Sequence, residues 1–271
     1  MKEDKESPSI GFSRRLTDGE SNPFMLVKWE KRDVTIANWQ DDSIVFEQKD
    51  VEFPTDWSFN ASNIVTQKYF WGGLDSEHRE RSLKDLLNRV VNQIVNWGDK
   101  GGYFASNDEK GVFADELMSL LLVQKASFNS PVWFNIGVPD VPQQSSACFI
   151  LSVDDTIDSI LNWYVEEGKI FKGGSGSGAN LSRIRASSEE ISGGGSPSGP
   201  VSFMRGADAS AGTIKSGGTT RRAAKMVMLD VDHPDIEEFI WAKATEEKKA
   251  RALTEAGFDC LLYTSPSPRD S

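Results

Sequence analysis

The stretch from Cys148 to Asn180 constrains the fold more than any other part of the chain. Cys148-Phe-Ile-Leu-Ser-Val153 is an apolar run bounded by polar residues, which reads as a buried strand. Residues 156–171 follow with helical spacing, and Asp154 and Asp155 stand where a cap is needed. The run Lys172-Gly-Gly-Ser-Gly-Ser-Gly-Ala-Asn180 then stops the helix and reads as a loop. Without a Cβ, such backbone can approach a ligand closely and adopt positive φ at little cost. A thiol on a strand with a glycine run close by is the outline of a small-molecule site.

The rest of the composition narrows the class. A chain of 271 residues with eight tryptophans can bury a sizeable core. Its formal net charge of −11 argues against nucleic acid or an anionic membrane as partner, because both require a basic face. Two cysteines make no disulfide framework, and no apolar run approaches the ~20 residues of a membrane span. The charged start, Met1-Lys-Glu-Asp-Lys-Glu6, lacks the apolar core of a secretion signal. The expectation is a cytoplasmic protein with reduced thiols.

Taken in order, residues 1–22 read as a flexible leader. Val34-Thr-Ile-Ala37 and Ser43-Ile-Val-Phe46 flank a polar turn and predict a hairpin. Leu83, Leu86, Leu87, Val90, Ile94 and Trp97 recur at three- and four-residue steps, predicting a helix over 77–97 that Gly98 and Gly101-Gly102 stop. A second helix is predicted over 114–126. After the glycine run, residues 201–211 have helical character, and Met226-Val-Met-Leu-Asp-Val231 reads as a buried parallel strand. Pro234 suits a first helical turn, with Ile236, Phe239 and Ile240 inward. Strand, helix, glycine run, strand and helix imply repeated βα units, hence an α/β fold after a mostly helical region over 23–127. Residues 260–271 continue no pattern and read as an appended tail, which makes Cys260 unsafe for any mechanism.

Four stretches agree in order and spacing with one family: Asn129-Ser-Pro-Val-Trp-Phe-Asn135, Ala147-Cys-Phe-Ile150, Phe171 to Asn180, and Ile214 to Lys225 running into Asp230-Val-Asp-His-Pro-Asp235. Over 24–259 the chain resembles the N-terminal third of the adenosylcobalamin-dependent (class II) ribonucleotide reductases. The resemblance implies that residues 128–259 open a ten-stranded α/β barrel, left incomplete here. It also implies reduction of the ribose 2′-carbon by radical chemistry. A thiyl radical takes the 3′-hydrogen, and a cysteine pair supplies two electrons. Cys148 matches the first cysteine of that pair; on its residues alone it either reaches a sugar or merely packs. Ser130, Ala147 and Gly176 match positions that hold the substrate nucleotide. Read locally, Ser130 is a turn residue before Pro131 and Gly176 a helix stop. Asn180 matches the end of the family's glycine motif and braces it.

Asp155 and Arg185 match positions around a site for a deoxynucleoside triphosphate effector, where a guanidinium fork suits phosphate. Lys215 to Ala224, with Lys215 and Arg221, matches the loop that carries that signal; the local reading of its arginines is solvated charge. The resemblance further implies adenosylcobalamin as cofactor, a thioredoxin-like reductant and a homodimer. The thiyl-radical cysteine and the second reducing cysteine fall beyond the matched stretch, so the chain by itself is expected to be inactive. A nucleotide-binding regulatory module without redox chemistry is the alternative. A cysteine hydrolase would need His78 or His233 as base, and neither stands in a suggestive context. No metal-ligand spacing is present.

Overall fold

The computed structural model describes residues 10–38, 41–191, 193–214 and 223–258. They form a mixed α/β structure with seven α-helices and five strands, in a two-stranded and a three-stranded sheet that do not close a barrel. The chain divides into two compact units, one up to Ser146 and one from Ala147.

In the first unit, β1 (Trp29–Ala37) pairs antiparallel with β2 (Ile44–Pro54), the predicted hairpin. Three helices, α1 (Phe59–Lys68), α2 (Leu83–Lys100) and α3 (Asn107–Leu122), precede the short α4 (Ser130–Asn135). The core joins Val34, Val51 and Phe53 of the hairpin to Leu86, Leu87 and Val90 of α2 and to Leu121 and Leu122 of α3. Helix α2 starts later than its periodicity suggests because Ser82 caps it, with Asp85 Oδ2 accepting from Ser82 N at 3.0 Å. It runs through Gly98 and stops at the glycine pair, and Trp97 turns outward rather than joining the stripe. Helix α3 begins seven residues before the expected 114, capped by Ser106 with Glu109 three positions on; Gly111 masked that start. The expected flexible leader is laid along α3 from residue 10. Phe12 packs on Phe104 and Phe113, Arg14 pairs with Asp115 at 2.7 Å, and Glu116 accepts from the backbone of Leu16 and Thr17.

The second unit alternates β3 (Cys148–Ser152), α5 (Ile157–Lys172), β4 (Gly176–Asn180), α6 (Gly199–Thr213), β5 (Lys225–Met228) and α7 (Ile236–Glu255). The three strands are parallel in the order β3-β4-β5, as the βα reading requires. Part of the glycine run is therefore the central strand and not a loop. Gly174, at φ +80°, makes the turn that aims the chain into β4. Helices α5 and α6 cover one face of the sheet, packing Ile160, Trp163 and Ala207 on Ala179, with Leu151 and Val227 beside them.

Four expectations change here. Strands β3 and β5 are not buried throughout, because helices cover one face only: exposure alternates along both, and Ile150, Met226 and Met228 stand out. Thr156, not an aspartate, caps α5, accepting from Ser159 N. Helix α7 begins at Ile236, so Pro234 precedes its cap instead of sitting in its first turn. No residue of α7 is buried, and Ile240, expected inward, is exposed. Among the described residues no helix is long and apolar enough to cross a membrane.

Candidate active site and effector hollow

The period of two along β3 decides where the thiol points. Phe149 and Leu151 face the helices, so Cys148 and Ile150 face the uncovered side, and Cys148 is exposed. Register pairing sets Cys148 opposite Gly176 and Ile150 opposite Gly178 on β4. The uncovered face thus has a centre without side chains, flanked by sulfur and apolar groups. A Cβ at Gly176 would lie 3.1 Å from the Ala224 carbonyl oxygen; one at Gly178 would crowd the ends of Ile150 and Met226 and touch Phe149 O at an ordinary 3.9 Å. The half-buried Ala147 holds β4 in place by accepting from Gly176 N at 2.8 Å. Cys148, Ala147 and Gly176 are therefore brought together. Asn180, at the far end of β4, accepts from Ser182 N at 2.9 Å and braces the strand's exit.

Ser130 lies in the first unit, as the first residue of α4. Asn129 caps that helix, and the Ser130 hydroxyl is 3.1 Å from that of Tyr69. Its helix is held by Arg89 of α2, which donates to Trp133 O and Ile136 O and is paired with the buried Glu80 at 2.7 Å.

A second place of interest lies at the start of α5. A hollow of about 280 Å³ is walled by Asp155, Thr156 and Ile157, by Ile184 and Arg185, and by Ser198 and Gly199 at the start of α6 among others. Arg185 Nε donates to Asp155 Oδ2 at 2.6 Å, and Arg185 N to Asp155 Oδ1 at 3.3 Å. That leaves the two terminal nitrogens of the guanidinium without a partner among the described residues, on a side chain 42% exposed. Ser198 makes no capping bond, so the positive end of the α6 dipole forms one wall. An anion fits this combination of fork and dipole. Lys215 and Arg221, also expected near an effector, lie outside the described residues, as does Cys260.

A buried charged group also lies between sheet and helices, outside the residues expected from the sequence. Glu167 of α5 accepts from Ser177 Oγ at 2.7 Å, and its Oε2 lies 2.6 Å from Lys225 Nζ, an ion pair off hydrogen-bond alignment. The signal was present: Glu167 falls on the buried stripe of Ile160, Trp163, Ile170 and Phe171.

No three or more His, Cys, Asp or Glu side chains among the described residues are grouped to hold a metal. The histidines are engaged in structure. His233 contacts Ile184 O at 2.9 Å through Nε2 and accepts from Asp235 N through Nδ1, while His78 stacks on Trp71.

Comparison with known proteins places these features in a family. Residues 30–124 match the model described as class II vitamin B12-dependent ribonucleotide reductase, and residues 146–257 match that of the ribonucleotide reductase barrel domain. A vitamin B12-dependent ribonucleotide reductase of Streptomyces coelicolor is 60% identical over 95% of this chain, and one of Rhodopirellula baltica is 44% identical over 91%. A vitamin B12-dependent ribonucleoside-diphosphate reductase of Mycobacterium tuberculosis is 38% identical over 69%. The chain spans 27%, 26% and 26% of the length of these three relatives. With both halves matched in the expected order, the chain belongs to the class II, vitamin B12-dependent ribonucleotide reductase family.

Proposed function

We propose that this chain is one part of an enzyme that reduces ribonucleotides to 2′-deoxyribonucleotides, with the uncovered face of β3–β4–β5 as the side that meets the ribose. One observation carries the reading: Cys148 stands exposed on that face, directly across from Gly176, which has no side chain. In the net reaction the 2′-hydroxyl leaves as water. Cys148 and a second thiol outside this chain each give up a hydrogen atom and join in a disulfide, so two electrons pass to the sugar. Ser130, Ala147 and Gly176 hold the nucleotide, the first by its hydroxyl and the others by main chain. The three parallel strands begin a ten-stranded barrel, and Ile150, Met226 and Met228 become its interior lining.

The hollow beside Asp155 and Arg185 takes the phosphates of a deoxynucleoside triphosphate effector, with Lys215 and Arg221 in the segment that relays it. Next to this hollow, Ile157, Leu161 and Val165 form an exposed apolar stripe at four-residue steps on α5, and a second copy of the chain covers it. A thioredoxin-like protein returns the electrons in the cytoplasm. Adenosylcobalamin is the cofactor the family name carries, and it supplies the radical when bound.

A regulatory nucleotide-binding module without redox chemistry is the second reading, favoured by the hollow alone. Cys148→Ser in the full-length reductase separates the two. Loss of deoxynucleotide formation with nucleotide binding retained supports the dithiol role; continued turnover leaves only the module.

A further inference from the structure

The pair Glu167–Lys225 is almost dry: the two side chains are 2% and 10% exposed. Lys225 Nζ also lies 5.2 Å from the Trp163 ring centroid and 5.9 Å from that of Phe171. Burying two charges is costly and is repaid in stability only by good geometry, and this pair is off hydrogen-bond alignment, so stability alone does not account for it. Three connections supply another reason. Lys225 is the register partner of Ser177, whose N–H donates to Ala224 O at 3.0 Å and whose hydroxyl binds the same Glu167. Ser177 follows Gly176, the residue across from Cys148. Next to Glu167 on the helix stands Gly168, where a Cβ would come within 3.1 Å of Ile214 Cδ1. Ile214 and Ala223 both pack on the Ile170–Phe171–Ala211 cluster. Ile214 and Ala223, which bracket 215–222, thus pack on a cluster built from the last turn of α5 and Ala211 of α6. About 15 Å away along α5, at 1.5 Å per residue, Thr156 and Ile157 wall the hollow.

We infer that the Glu167–Lys225 pair is a positioning element that ties the strand opposite Cys148 to α5, so that occupancy of the hollow at the other end of α5 is felt at the substrate face. This rests on the reading of the hollow as a ligand site. A single charge left behind would be buried alone, so the test uses Lys225→Met/Glu167→Leu, which removes both, beside Lys225→Arg, which keeps the charge. In the full-length reductase, dTTP is titrated by calorimetry and the ribonucleotide KM is measured with and without it. The parent and Lys225→Arg are expected to shift KM by about fivefold or more. The double variant is expected to bind dTTP as the parent does and to lose the shift. A double variant that keeps the shift overturns the inference.

Alkylation of Cys148 by iodoacetamide without nucleotide gives an arm independent of the effector. A change of roughly threefold or more in the double variant supports the positioning role, and an unchanged rate overturns it. If the parent binds no dTTP, or Arg185→Ala binds it equally well, the reading of the hollow fails instead, and alkylation alone decides the pair.

Discussion

Replacing Arg89 with methionine tests how the first unit holds α4 and Ser130. Arg89 Nε lies 2.7 Å from Glu80 Oε1, and its terminal nitrogens donate to Ile136 O at 2.7 Å and Trp133 O at 3.1 Å. Both partners of the pair are more than nine-tenths buried. Methionine fills much of the volume but leaves the Glu80 carboxylate with the Trp71 N–H as its remaining hydrogen-bond donor. Three backbone carbonyls, of Ile136, Trp133 and more distantly Tyr69, lose a donor as well. Breaking a buried pair in this way costs about 3–5 kcal/mol, a large share of a stability of about 5–15 kcal/mol. At about 1.4 kcal/mol per decade, amide hydrogen exchange in α2 should speed up by roughly two to three and a half decades where it reports opening of the whole unit. Glu80→Gln added to Arg89→Met should recover part of this, because the Glu80 carboxylate is then no longer buried as a charge without its arginine. Acceleration of less than about threefold, or a double variant no better than the single, would refute the reasoning.

Three further outcomes follow from the geometry. Gly176→Ala should destabilise by about 1–3 kcal/mol, because its Cβ meets backbone at Ala224; Gly178→Ala should cost less, since only flexible side-chain ends must shift, and thermal unfolding of the two variants reads the order. Burial pushes the Glu116 carboxyl up, but the Thr17 hydroxyl and the N–H groups of Leu16, Arg15 and Thr17 outweigh it and hold it below its ordinary value of 4.5. A lowered folded-state pKa means the contact stabilises above that ordinary value and is lost as pH falls through the folded one, so the Thr17 amide resonance should move in acid and stay put in Glu116→Gln. Arg185→Ala should weaken dTTP binding by about tenfold or more, read by calorimetry, for loss of a charged fork on phosphate.

Much of this architecture was legible in the residues. The stripe from Leu83 to Val90, the antiparallel pair β1–β2 and the βα alternation after Cys148 all follow from period and punctuation. What misled was composition standing in for context. Gly176–Asn180 has no β-branched residue, so propensity favours a loop; pairing on both sides with β3 and β5 makes it a strand. The apolar runs of β3 and β5 suggested burial on both faces, yet within the described residues only one face is covered. Glu167 was legible as an acid on an apolar stripe, but its partner Lys225 is far along the chain, and no periodicity pairs them. Of the site, the closeness of Cys148 to Gly176 needed the strand register, and the hollow needed the folded loop that carries Ile184 and Arg185.

The central claim is that the Cys148 sulfur lies on the face that receives the ribonucleotide. Its rate of alkylation in the full-length reductase, measured with and without saturating ribonucleotide, tests this most directly. Protection of Cys148 by the nucleotide is the predicted result. A rate indifferent to nucleotide under conditions where binding is saturated would contradict it.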